Sequence, residues 1–241
     1  MPGERRLRIL MRLAGDEAAE VGARRLCAVS AEVTGMTGAG IMLMSGDIPH
    51  GAVCSTDEVS ALIEQLQYDL GEGPCVDAFR HERPVHEADL ADPMASRWVG
   101  FTGPAVEAGA RAVFGFPLQV GAVRVGALNL YRDRPGPLSD DQHADALVVA
   151  DVVAQALLAL QAGAPPGTLA AELEAGSDFQ YVVHQATGMV AAQLEVSVGD
   201  ALIRLRAHAF GNDRPLTEVA QDVVARKLRL DDPSGERDPA T

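Results

Sequence analysis

The stretch RAVFGFPLQVGAVRVGALNLYRD, Arg111 to Asp133, contains two long β-rich runs, RAVFGFPLQV from Arg111 and VRVGALNLYR from Val123, joined across Gly121 and Ala122. Adjacent strands linked by a short glycine-containing turn predict an antiparallel sheet, not a doubly wound parallel one. Upstream, GAGIMLMS at Gly38 to Ser45 reads as a buried strand, and the run from His50 to Asp57 alternates enough to be its hairpin partner. Helical patterns accompany them at Glu17 to Val33, Val59 to Tyr68 and Pro74 to Phe79, with a further extended run at Arg83 to Leu90. Downstream, Ser139 stands three residues before Gln142, a capping box that opens a helix reaching Leu160. Nearly every position from Ala146 to Leu160 is apolar, so both faces of that helix require burial. One face is expected on the sheet and the other on a second copy, giving a homodimer; cover by the N-terminal helix of the same chain is the alternative.

The chain has 241 residues, 47% hydrophobic and 22% charged, which is too apolar for extended disorder and long enough for one large or two modest domains. Its 20 Lys and Arg against 34 Asp and Glu leave a net charge of −14, so an anionic partner would have to be met by a local surface. Lys227 is the only lysine, a bias that reads as base composition, so arginine richness alone carries no argument for RNA. Cys27, Cys54 and Cys75 form no CxxC pair and are too scattered for a disulfide framework or a metal cluster. Reduced thiols in a cytoplasmic protein are expected. The N-terminus lacks an uninterrupted apolar core of a signal peptide, and the apolar helix is interrupted by Asp151 and Gln155, so neither secretion nor a membrane span is expected.

A break rich in proline and glycine, QAGAPPGTLAAELEAGS from Gln161 to Ser177, separates two helical patterns. It divides the chain into a first domain over 1–160, a linker over 161–176, a second domain over 177–230 and an acidic disordered tail over 231–241. In the second domain, Phe179, Val182, Val183, Ala186, Met189, Val190 and Leu194 mark one face of a helix. Ser197 and Asp200 resemble a capping box for a second helix closed by Gly211, and Pro215 opens a third that runs to Leu228. These form a small all-α bundle, near the lower size limit for independent folding.

The run VHQATGMVAAQLEVSVGDALIRLRAHAF, Val183 to Phe210, followed by NDRPLTEVAQDVV, resembles an ANTAR domain, the RNA-binding module of transcription antitermination regulators. Thr187 stands where many members carry lysine. The upstream part is similar to GAF domains through GEGPCVDAF at Gly71 to Phe79, RPVHEADL, and GALNLYRD at Gly126 to Asp133. The order resembles the GAF-ANTAR proteins common in actinobacteria, with a sensory GAF part and an RNA-binding output. The resemblance implies a GAF-like antiparallel sheet flanked by helices, then a three-helix ANTAR bundle. It also implies a signal-responsive antiterminator that recognises paired stem-loops in leader transcripts and, as a homodimer, engages both.

Candidate RNA contacts on the first helix of that bundle are His184, Gln185, Thr187 and Gly188, the polar groups for base edges and the glycine for close approach. On the second they are Arg204, Arg206 and His208, with Arg214 at the following turn for a phosphate. The signal at the GAF part is an unknown small molecule or protein; no cofactor and no metal are expected. A non-nucleic-acid alternative is a sensory dimer whose C-terminal bundle docks onto a protein. An enzymatic alternative, free methionine sulfoxide reduction through Cys75, lacks its second cysteine context, so no enzyme activity is expected.

Overall fold

β4 (Ala112–Val120) and β5 (Val123–Arg132) pair antiparallel from Ala112 opposite Arg132 to Val120 opposite Val123. Gly121, at φ 59°, makes the left-handed turn between them. The structure is a computed structural model describing residues 2–14, 22–45, 48–94, 97–164, 170, 173 and 181–230. It divides into two units, Met1–Phe179 and Gln180–Thr241. The tail expected over 231–241 lies outside the described residues.

In the first unit, β1 (Gly38–Ser45) pairs with β5, β2 (Ile48–Ser55) with β1, and the short β3 (Val85–Glu87) with β4. The five-stranded sheet has the order β2-β1-β5-β4-β3, antiparallel throughout. Alternation sends Ile41, Leu43, Phe114, Phe116, Leu128 and Leu130 to one face, where they pack with α2 (Ala23–Thr34) and α6 (Asp140–Ala162). The opposite face carries α3 (Glu58–Leu70), α4 (Pro74–His81) and α5 (Val99–Glu107). There Ile63, Trp98, Phe101, Val113 and Tyr131 form a second core.

α6 begins at the expected capping box: Ser139 Oγ accepts from Gln142 N at 3.2 Å, and Gln142 Oε1 accepts from Ser139 N at 3.1 Å. Part of its second face is covered within the chain. α1 (Pro2–Ala14) packs on α6 and sends Ile9 and Leu13 into the same core. Arg5 binds Asp141 and Asp145, each at 2.6 Å, and Arg8 binds Asp145 at 2.7 Å. On the rest of that face Leu147 remains 44% exposed and Leu158 half-buried. α6 is the one helix among the described residues long and apolar enough to cross a membrane, and here it serves as a core helix.

Two further expectations are corrected. Cys27 on α2 and Cys54 on β2 form a disulfide, with Cα atoms 6.2 Å apart, where reduced thiols were expected. α2 packs across β1 and β2, which brings together cysteines that are distant in sequence. The stretch read as a linker also contributes to the first unit: Ala170 and Leu173 are buried in its core, and Ala170 N donates to Gln161 Oε1 at 3.0 Å.

The second unit contains, among its described residues, α7 (Tyr181–Leu194), α8 (Val198–Gly211) and α9 (Leu216–Val224). Val183, Ala186 and Val190 of α7, Leu202 and Leu205 of α8, and Val219 and Val223 of α9 are buried. Ser197 Oγ caps α8 by accepting from Asp200 N at 3.1 Å. α9 ends before Leu228 because Arg226 takes a left-handed conformation, φ 58°, and the amides of Lys227 and Leu228 turn back to Asp222 O.

Candidate functional site

Three facing residues form a polar row across the sheet of the first unit. Asn129 of β5 pairs with Gly40 of β1 on one side and with Gly115 of β4 on the other. Leu128 and Leu130 point into the α2/α6 core, so Asn129 points to the face carrying α3 and α4. The flanking glycines let those helices lie directly on the strands. A β-carbon at Gly40 would collide with the Glu64 side chain, and one at Gly115 with the Pro74 carbonyl.

Glu64 and Gln67 reach this row from α3. Gln67 Oε1 accepts from Cys75 N at 2.6 Å, tying α3 to the first turn of α4. Glu64, Gln67, Cys75 and Asn129 are all buried. Both Glu64 carboxyl oxygens, both Asn129 amide atoms and Gln67 Nε2 lack a hydrogen-bond partner among the described residues. Buried polar atoms are paired in most proteins, so five unpaired atoms in one cluster mark a site built for something besides packing. Burial pushes the Glu64 carboxyl up to about 8. Burial, then the nearby Glu64 carboxyl, push the Cys75 thiol well above its ordinary range, with the Gln67 side chain acting in the opposite direction. A thiol held protonated and out of solvent is a poor nucleophile.

The segment between α3 and α4 is built for sharp turns. Gly71 and Gly73 have φ of 67° and 130°, and between them Glu72 Oε1 accepts from the amides of Gly100 and Phe101 at 2.6 and 3.0 Å, capping α5. Trp98 Nε1 donates to Asp77 Oδ2 at 3.0 Å, fastening α4 to the start of α5.

In the second unit, Gln185 and Gly188 lie on the exposed face of α7, and nothing lies within 4 Å of where a Gly188 β-carbon would sit. His184 is half-buried at the edge of that face. Thr187 is a correction: it is 2% exposed, and its hydroxyl donates to Val183 O at 2.6 Å, so it offers nothing to a base edge. Arg204 and Arg206 sit on opposite flanks of the buried stripe of α8, Arg204 beside His208 and Arg206 beside Ile203 and Phe210. Arg214 pairs with Asp222 at 2.7 Å and Glu218 at 3.8 Å, which fastens the turn to α9 and engages the charge expected for a phosphate.

Helical spacing places Tyr181 on the same side as Gln185 and Gly188, and all three are exposed in the structure. Sequence reading missed one feature of this unit. Arg226 and Arg229 lie beyond the end of α9. They line a groove of 630 Å³ with Met189, Ala192 and Gln193 of α7. Ala192 is one turn from Gly188, so the groove borders the small-residue face. The polar cluster of the first unit was also missed, although Ser60, Glu64 and Gln67 recur at helical spacing on the buried side of α3.

The sequence profile of the GAF domain matches residues 4–158. The fold resembles the GAF domain of a phosphoenolpyruvate-protein phosphotransferase from Acinetobacter, at 14% identity and a TM-score of 0.50, covering 67% of this chain and 96% of that one. The GAF domain of a phosphoenolpyruvate-protein phosphotransferase from Coxiella burnetii aligns at 12% identity and a TM-score of 0.48, over 67% of this chain and 95% of that one. None of the curated proteins matches the chain.

Proposed function

Because the chain belongs to the GAF domain family, whose role is sensory, we propose that it is a signal-responsive RNA-binding antiterminator. In this reading the first unit receives the signal, and the second, ANTAR-like unit binds paired stem-loops in a leader transcript and favours read-through. The protein is a cytoplasmic regulator and not an enzyme.

The observation that carries the reading is the α7 face of Tyr181, Gln185, Gly188 and Ala192. A surface with an amide, an aromatic ring and no bulk at its centre suits unpaired loop bases, which are read on their edges and stacked on aromatic rings. Arg226 and Arg229 on the bordering groove add cationic contacts in an otherwise acidic chain. The test is a titration of the full chain against a tandem stem-loop RNA, its loop-scrambled form and the matching DNA. Loop-dependent binding that weakens in Gln185→Ala and Arg206→Ala supports the reading; equal binding to all three ligands overturns it.

A second reading is favoured by Ile203 and Phe210, which are 62% and 66% exposed on one side of α8. An apolar stripe of this kind suits a protein partner. It predicts that Phe210→Ser abolishes partner capture while loop-dependent RNA binding is absent from the start.

A further inference from the structure

We propose that Glu64, Gln67 and Asn129 bind a small uncharged cyclic amide or ureide, a molecule whose ring edge carries N–H donors beside a carbonyl acceptor. This rests on the sensory reading of the first unit and names the class of its ligand.

The class follows from the hydrogen-bond inventory. Glu64 presents two carboxyl oxygens, Asn129 presents one acceptor and one NH₂, and Gln67 presents an NH₂, all buried and without protein partners among the described residues. A cation would satisfy the oxygens but leave both NH₂ groups without acceptors. An anion would satisfy the NH₂ groups but leave Asn129 Oδ1 without a donor. A neutral molecule with N–H and C=O on one edge meets both requirements: N–H groups to Glu64 and Asn129 Oδ1, and carbonyl oxygen to the two amide NH₂ groups. Burial holds the Glu64 carboxyl mostly protonated near neutrality, which further favours an uncharged ligand over a cation.

The row Gly40, Asn129, Gly115 has a side chain only at its centre, and the Glu64 side chain and the Pro74 carbonyl fill the space over the two glycines, so the cluster is closed while α3 and α4 are seated on the sheet. Gly71 and Gly73 provide left-handed pivots immediately before α4, and α4 moving about them opens the cluster from the side of Cys75. Gln67 then acts as the sensor of that motion, because its Oε1 holds the Cys75 amide when α4 is seated.

The test uses the full chain in calorimetric titrations and thermal melts, with uracil, xanthine and allantoin as probes and putrescine and acetate as charged comparators. At least one of the three cyclic probes binds with one-to-one stoichiometry and raises the melting temperature. Glu64→Leu, which removes both carboxyl oxygens, and Asn129→Leu each weaken that binding by at least about tenfold. Melts of both variants without probe establish that they are folded. Failure of all three probes, preference for a charged comparator, or binding indifferent to both substitutions overturns the proposal. So does an Asn129→Leu protein that melts higher while the wild type binds no probe, since the cluster would then hold only water. A small-molecule cell extract separates this failure from failure of the sensory reading. If the extract stabilises wild type but not Glu64→Leu, the ligand class is wrong and the sensor stands; if it stabilises neither, both fall.

Discussion

Glu64 sets the pH response of the first unit. Its carboxyl, raised by burial to about 8 from an ordinary 4.5, binds a proton more tightly in the folded than in the unfolded chain. Its contribution to stability is therefore full below the unfolded value and is lost as pH rises, by about 1.4 kcal/mol per unit until the folded value is passed. Chemical denaturation between pH 5.5 and 8.5 checks this: wild type weakens across the range, whereas Glu64→Gln is flatter and gains relative to wild type at the alkaline end. Other groups face Glu64 without adding a charge near neutrality: Cys75 on α4 is held protonated, and Asn129 and Gly40 do not titrate. At Gly188 stability and function are expected to separate. Nothing opposes an added β-carbon there, so Gly188→Ala stabilises α7 by up to about 1 kcal/mol. The same methyl stands on the proposed RNA face and weakens stem-loop binding, so melting and RNA titration move in opposite directions.

At the scale of elements, the Cys27–Cys54 bond staples α2 to the edge of the sheet. It closes a loop of 27 residues, worth roughly 3–4 kcal/mol in the chain-entropy account. Reductant is expected to lower the melting temperature of wild type and leave that of a Cys27→Ala/Cys54→Ala variant unchanged; equal melting of wild type with and without reductant contradicts the bond. The sequence could not show this pairing, because it depends on α2 crossing β2, and scattered cysteines carry no trace of that packing. β1, β4, β5 and the start of α6 were legible for the opposite reason: an apolar run, a glycine turn and a capping box are local signals. The polar cluster was half legible. Glu64 and Gln67 interrupt the buried stripe of α3, and Asn129 stands between Leu128 and Leu130, but only the register places Asn129 between two glycines. Thr187 misled in a different way, since a polar residue near a helix edge can bond its own backbone and be buried.

At the scale of the whole molecule, the account requires two copies of the RNA-binding unit to meet two stem-loops, which raises affinity through effective concentration. α6 is covered in part by its own chain, and the helix that covers it offers a further surface for a dimer. α1 presents Leu7, Leu10 and Met11 on one exposed side, spaced three and four residues apart, while its arginines are engaged with α6 and α2. Light scattering is expected to give a dimer for wild type and a monomer of unchanged melting temperature for Leu7→Glu/Met11→Glu; a monomeric wild type removes the avidity argument. The measurement that bears most directly on the central claim is transcription read-through on a leader template carrying tandem stem-loops and a terminator, with purified polymerase and the full chain. The account predicts that the protein raises read-through, and that scrambling the loops or substituting Gln185→Ala removes the effect. Termination unchanged at protein concentrations that saturate the leader RNA, in the presence and absence of a small-molecule cell extract, would contradict it.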